Sequence, residues 1–104
     1  MIATIKKLFG MGPSVDYKNL VANVATIIDV RSKGEYAGGH IKGSVNISLD
    51  TLGNNLSKLD KNKTIITCCA SGMRSASARS ILKSKGFTDV HNGGGWMGLQ
   101  SKLN

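Results

Sequence analysis

The sequence predicts a single α/β domain with a mostly parallel sheet flanked by helices. Its 104 residues provide one ordinary hydrophobic core and leave no room for a second. Short β-branched runs alternate with segments of helical periodicity, as they do in strand–helix–strand units. The longest run, VATIIDV at residues 24–30, is apolar at odd and even positions alike up to Asp29. A strand of this kind is covered on both faces, which is typical of parallel sheets.

The other strands are predicted by shorter runs of the same kind, at residues 14–15, 44–47, 64–68 (TIITC) and 89–92. Two glycines and the only proline lie within residues 10–13 and end an amphipathic N-terminal segment. We therefore divide the chain into an N-terminal extension, residues 1–12, and one domain, residues 13–104.

Four segments have apolar residues at helical spacing and are predicted as helices: residues 17–22, residues 50 or 51 to 59, residues 75–85 and residues 96–102. Asp16 is placed to cap the first of them. The third is the clearest, because Ala78, Ile81 and Leu82 form an apolar stripe and Gly86 occupies the position that follows a helix end. The glycines at 93–95 are expected to form the turn before the last helix.

The net charge of +8 at pH 7 favours anionic ligands of some kind. The segment between Asp60 and Asp89 contains six basic residues and no acid, and it surrounds the only two cysteines. These basic residues either form a solvated face of a helix or create a positive electrostatic potential that attracts a small anion to a thiolate. Net charge alone supports a nucleic-acid binder, and only five Phe, Tyr and Trp residues are available for base stacking. We expect no specific nucleic acid partner, no membrane span and a monomer.

The cysteines, Cys68 and Cys69, are adjacent in the sequence. A disulfide between neighbours closes no useful loop, so the pair does not staple the fold. Neither histidine stands at ligand spacing to the pair, so we expect no metal and no other cofactor. Free thiols indicate a reducing compartment, and we expect a cytoplasmic protein.

Cys69 lies where a ligand binds in an open α/β sheet, just beyond the C-terminal end of the strand at 64–68. Gly72 permits a tight turn there, and the helix that follows directs its positive end toward the thiol. Both features favour a thiolate and an anionic ligand, and Arg74 can offer a planar fork to an oxyanion. The alternative is that a cysteine after a buried strand is a core residue, which fits Cys68 better because it ends the strand.

Three segments resemble the signatures of the rhodanese family. They are the loop Cys69-Ala-Ser-Gly-Met-Arg-Ser75, the stretch from Ile28-Asp-Val-Arg31 through Glu35-Tyr36 to Gly39-His40-Ile41 and Asn46, and the stretch Gly86-Phe87 to Gly95. Together they cover about residues 13–100. The chain departs from the family pattern L-x-G-G, which here reads Asn92-Gly93-Gly94-Gly95. Cys68 is an additional thiol, and strand alternation directs it away from Cys69, against a role in resolving a persulfide.

The resemblance implies a five-stranded, mainly parallel sheet and a sulfurtransferase activity. Cys69 would take a sulfane sulfur from a donor such as thiosulfate as a persulfide, and pass it to cyanide, a thiol or a protein. The loop residues that would bind the substrate are Ala70, Ser71, Gly72, Met73, Arg74 and Ser75. Four residues separate Cys69 from Arg74, whereas related phosphatases have one more.

Asp29, Arg31, Glu35 and His40 are interpreted as supports for the loops near the site. Arg31 and Glu35 have the i, i+4 spacing of an ion pair on a helical turn. Three other functions stay open: a rhodanese-like binding or persulfide-carrier module without catalysis, a phosphatase or arsenate reductase, and a nucleic-acid binder. Retention of Cys69, Gly72 and Arg74 argues against a module without catalysis, and the short loop argues against a phosphatase.

Overall fold

A computed structural model describes residues 15–104. In this part of the chain, four parallel strands form one sheet in the order β2-β1-β3-β4. The strands are β1 (Thr26–Asp29), β2 (Val45–Asn46), β3 (Ile65–Cys69) and β4 (Val90–Gly95). The predicted α/β class with a parallel sheet is therefore confirmed.

The implied fifth strand is absent from the described residues. A short strand was expected at residues 14–15, but Val15 lies outside any strand. Ser14 lies outside the described residues. The extension at 1–12 lies outside them as well, so the domain boundary at residue 13 stays a prediction. No helix within residues 15–104 is long and apolar enough to cross a membrane.

Within residues 15–104, five helices flank this sheet: α1 (Tyr17–Asn23), α2 (Lys33–Ala37), α3 (Leu49–Leu52), α4 (Met73–Ser84) and α5 (Trp96–Leu103). Asp16 caps α1 as predicted, because its carboxylate accepts the N–H of Asn19 over 3.1 Å. The helix predicted to reach residue 59 is wrong in length, since α3 ends at Leu52 with Gly53 as its C-cap. Glycine and the two asparagines after it are poor helix formers. Leu56 and Leu59 nevertheless pack on the core.

The sheet separates two hydrophobic clusters, as expected for strands covered on both faces. Ile28 and Ile65 belong to the cluster that includes α3 and α4, while Ile27 and Ile66 belong to the one that includes Leu99 of α5. Successive strand residues point to opposite faces. Accordingly Cys69 joins the first cluster and Cys68 the second.

β4 continues through the glycines that were predicted to form a turn. Only glycine fits there: a Cβ on Gly93 would lie 2.7 Å from the Thr67 carbonyl oxygen and 2.9 Å from a methyl of Leu99. A Cβ on Gly95 would lie 2.9 Å from the carbonyl oxygen of Ala70. The glycines therefore let the end of β4 approach β3 and the loop after it, and the register between the two strands shifts at this point.

We expect Gly93→Ala to destabilise the domain by about 1–3 kcal/mol, because the added methyl overpacks a backbone contact that cannot move away. Gly98→Ala is the matched control, since nothing lies within 4 Å of a Cβ built at that helical glycine. It should be neutral or stabilise by up to about 1 kcal/mol through the higher helix propensity of alanine. Urea denaturation of the two variants and the parent chain measures both effects. Equal stability of the two variants would contradict the packing argument.

Candidate active site

Cys69 is the last residue of β3 and its side chain is 1% exposed. Its Sγ accepts the backbone N–H of Gly72 over 2.9 Å and that of Ser75 over 3.3 Å. Gly72 has a φ of +108°, in the region that favours glycine, and is the N-cap of α4. The predicted placement of Cys69 between strand end and helix start is confirmed. Two N–H donors and a helix N-terminus favour a negative charge on this sulfur.

Cys68 lies in a different environment on the opposite face of the sheet. It is fully buried among Ile27, Ile41 and Leu99. Burial raises the pKa of the Cys68 thiol to about 12, with a further contribution from the negative charge of Asp29. Cys68 is therefore a protonated core residue at neutral pH, as strand alternation predicts. Both cysteines are free.

A buried network behind Cys69 fixes the Ser75 N–H. The Ser75 hydroxyl donates to Asn92 Oδ1 over 2.6 Å and lies 2.8 Å from Thr67 Oγ1. Asn92 Oδ1 also accepts the N–H of Gly94 over 2.9 Å, so it connects α4 to the end of β4. Sequence reasoning missed Thr67 and Asn92. The available signal was the departure of Asn92 from the family's leucine.

Arg74 and Glu35 form an ion pair between α4 and α2. The two terminal nitrogens of Arg74 donate to the two carboxylate oxygens of Glu35 over 2.7 and 3.0 Å. Both side chains are 38% exposed, so the pair lies at the surface. The predicted ion pair between Arg31 and Glu35 is wrong, because Arg31 reaches Glu35 only at its backbone oxygen, over 3.4 Å.

Glu35 also closes the N-terminus of α2. Its Oε1 accepts the backbone N–H of Ser32 over 3.1 Å and the Ser32 hydroxyl over 3.0 Å, and its own N–H donates back to that hydroxyl. The hydrogen bond from Arg74 and then the one from the Ser32 backbone lower the pKa of Glu35 to about 2. Glu35 is therefore a carboxylate at any pH near neutrality.

Arg31 pairs instead with Asp29, and the pair is buried. Its Nε and one terminal nitrogen donate to the Asp29 carboxylate over 2.8–3.0 Å, and the same terminal nitrogen donates to the Gly39 carbonyl over 2.7 Å. The guanidinium lies 4.7 Å from the centre of the Trp96 ring. Asn46 Nδ2 donates to the backbone oxygens of Asp29 and Arg31. This cluster joins β1, β2 and the loop around Gly39.

The remaining predicted loop residues are exposed. Ala70 and Ser71 are exposed, and Met73 is 81% exposed at the first position of α4. His40 is exposed and stacks on Tyr36 with ring centres 3.7 Å apart, and its Nδ1 lies 2.7 Å from the Tyr36 carbonyl oxygen. Within residues 15–104, no group of three or more His, Cys, Asp or Glu side chains is arranged to hold a metal.

Comparison with known proteins places this geometry in a family. The sequence model of the rhodanese-like domain matches residues 15–102. Thiosulfate sulfurtransferase PspE of Escherichia coli (strain K12) is 37% identical over 70 residues, which cover 65% of this chain and 67% of PspE. Uncharacterized protein YqhL of Bacillus subtilis (strain 168) is 35% identical over 68 residues. The alignment covers 65% of this chain and spans 54% of the length of YqhL.

A solved structure described as rhodanese with anions, from E. coli, agrees in fold as well as in sequence. It superposes with a TM-score of 0.68 at 34% identity, covering 71% of this chain and 89% of the other. The parallel sheet, the cysteine at the strand end and the sequence match therefore agree, and the chain belongs to the rhodanese-like domain family.

Proposed function

We propose that the protein is a sulfurtransferase that moves a sulfane sulfur from a donor such as thiosulfate to a thiophilic acceptor through a persulfide on Cys69. The observation that carries the proposal is the pair of N–H groups, from Gly72 and Ser75, that converge on Cys69 Sγ at the start of α4. They stabilise sulfur in its anionic form, which is the nucleophile in sulfur chemistry. The name of the relative PspE supports thiosulfate as a donor.

The proposed reaction has two displacement steps. The Cys69 thiolate attacks the sulfane sulfur of thiosulfate, a bond forms between the two sulfurs, and sulfite leaves with the electron pair of the broken S–S bond. An acceptor such as cyanide or a thiolate then attacks the outer sulfur, and the Cys69 thiolate leaves. Sulfur passes from donor to acceptor and the enzyme returns to its starting state. The loop N–H groups remain in place to stabilise the anionic sulfur at each stage.

The other loop residues have supporting roles in this proposal. The backbone at Ala70, Ser71 and Met73 would line the path of the donor, and the Arg74 guanidinium would attract its oxyanion. Asp29, Arg31 and Glu35 would hold the surrounding segments. The free thiols support a reducing compartment, and we propose the cytoplasm.

Mass spectrometry of the intact protein after thiosulfate treatment tests the function. We expect the mass to increase by one sulfur, and cyanide to remove that sulfur as thiocyanate. Protein alkylated at Cys69 beforehand is the control and should gain nothing. A folded, reduced protein that gains no sulfur would contradict the proposal. If a persulfide forms but neither cyanide nor thiols remove its outer sulfur, the persulfide-carrier alternative replaces the proposed function.

A further inference from the structure

Arg74 is the only charged side chain in the loop from Cys69 to Ser75. Both of its terminal nitrogens are engaged by the two oxygens of Glu35, at 2.7 and 3.0 Å. The cation that would attract an anion to Cys69 is therefore matched by a carboxylate on a different helix. An anion that approaches the loop meets a dipole of two opposite charges rather than a free positive charge.

The carboxylate is fixed in this position by more than the arginine. Its Oε1 also accepts the N–H and the hydroxyl of Ser32. Because these contacts lower the pKa of Glu35 to about 2, the carboxylate stays ionised as the pH falls from neutrality until it approaches that value. The negative charge of Glu35 therefore balances the positive charge of Arg74 at any pH near neutrality.

We propose that Glu35 is a specificity-determining residue of the Cys69 site: through its pairing with Arg74, it weakens the binding of dianions and favours sulfur donors of lower charge. The proposal rests on the proposed function in assigning Cys69 as the reacting group, but the anion binding that it concerns is measurable without sulfur transfer. Glu35 acts through Arg74 and is not itself a group that reacts.

Coulomb's law gives the direction of the effect. The attraction of the guanidinium for an anion and the repulsion by the carboxylate both scale with the anion charge, so removing the carboxylate benefits a dianion more than a monoanion. Arg74 directly precedes Ser75, whose N–H donates to Cys69 Sγ over 3.3 Å, so the backbone that carries the guanidinium lies beside the Cys69 sulfur. The loop N–H groups bind anions of either charge and are unaffected by the change.

Glu35→Gln is the informative variant because glutamine keeps an amide oxygen for the Ser32 contacts. It removes the negative charge and replaces the oxygen that accepts from Arg74 with an amide nitrogen, which cannot accept. The probe is sulfate, a dianion with no sulfane sulfur. Its affinity is measured as the protection of Cys69 from iodoacetamide, mapped by tandem mass spectrometry, at constant ionic strength. We expect sulfate to protect the variant at about one third of the wild-type concentration or less, since an exposed charge contributes about this factor. Protection by nitrate, a monoanion, should change less.

Two further variants separate charge from structure. Ser32→Ala disturbs the cap of α2 and leaves the charges of Glu35 and Arg74 in place, so sulfate affinity should stay within error of wild type. In the Arg74→Gln background, adding Glu35→Gln should no longer improve sulfate binding, because the cation that it releases is gone. With thiosulfate as donor, Glu35→Gln should lower KM by the same factor as it lowers the sulfate concentration.

The proposal is overturned if Glu35→Gln leaves sulfate protection unchanged or weakens it, since Arg74 would then depend on Glu35 for its position. It is also overturned if Glu35→Gln still improves sulfate protection in the Arg74→Gln background, because the gain would then not depend on Arg74. A protein that binds sulfate as expected in all variants yet forms no persulfide would refute the proposed function and leave the assignment of Glu35 standing.

Discussion

We expect Cys69→Ser to abolish the proposed sulfur transfer, whereas Cys68→Ala should retain most of it. The two residues are neighbours in the chain and both are buried, so neither composition nor exposure separates them. Their hydrogen-bond environment does. Only the Cys69 sulfur accepts N–H groups from the loop and the helix start, and a hydroxyl in its place cannot carry a sulfane sulfur.

Cys68→Ala tests the opposite face of the sheet. The pKa of the Cys68 thiol is raised to about 12 by burial, so almost none of it is a thiolate at neutral pH. Its removal should cost about 1 kcal/mol of stability, as the loss of a small buried group does, with little effect on kcat.

A thiosulfate:cyanide assay, combined with mass detection of the persulfide, measures both variants. Circular dichroism and urea denaturation check that each variant is folded. If Cys68→Ala is folded but inactive while Cys69→Ser is active, the assignment of the site is wrong. If both are folded and inactive, the two thiols act together. Cys68 would then have to move from the opposite face of the sheet to react with the persulfide.

The order of elements around Cys69 could be read from the sequence because short-range patterns determine it. A β-branched run, a glycine and an amphipathic segment follow one another between residues 64 and 85. The order of these patterns along the chain favours a strand, then a tight turn, then a helix. The burial of Cys68 and Cys69 on opposite faces follows from strand alternation alone.

The partners of the charged residues could not be read in the same way. Arg31 and Glu35 stand at helical spacing, yet each has a nearer opposite charge that the fold brings to it. Asp29 is held beside Arg31 by the end of β1, and Arg74 arrives from α4, 39 residues away from Glu35. Sequence spacing identifies only ion-pair partners that are close in the chain. Whether a charged residue pairs with one of these or with a residue distant in sequence depends on the tertiary structure.

The glycine run at 93–95 shows a different limit. Glycines usually indicate a turn because they tolerate unusual backbone angles. Here Gly93 and Gly95 continue a strand because neighbouring backbone and side chains leave no space for a Cβ. A glycine in the sequence can indicate either an unusual backbone conformation or a close approach of neighbouring atoms. Only the packing of β4 against β3 shows which of the two applies here.

Arg31→Met is expected to be the most destabilising substitution among the charged residues. Asp29 is 0% exposed and Arg31 is 4% exposed, so removal of the guanidinium leaves a carboxylate buried with only the Arg31 N–H to compensate it, over 3.0 Å. Breaking a buried pair on one side costs about 3–5 kcal/mol. The Gly39 carbonyl would lose its donor as well, which loosens the loop beside Trp96.

Arg79→Met is the matched control for this change. It removes the same charge and introduces the same side chain, but Arg79 donates only to the Val90 carbonyl and pairs with no carboxylate among the described residues. Its cost should be about 1 kcal/mol, the contribution of one hydrogen bond. Urea denaturation at neutral pH compares the two variants, and equal losses would show that Asp29 finds another partner. The double variant Asp29→Asn, Arg31→Met should recover part of the loss, because the unpaired charge, rather than the missing contacts, is the larger cost.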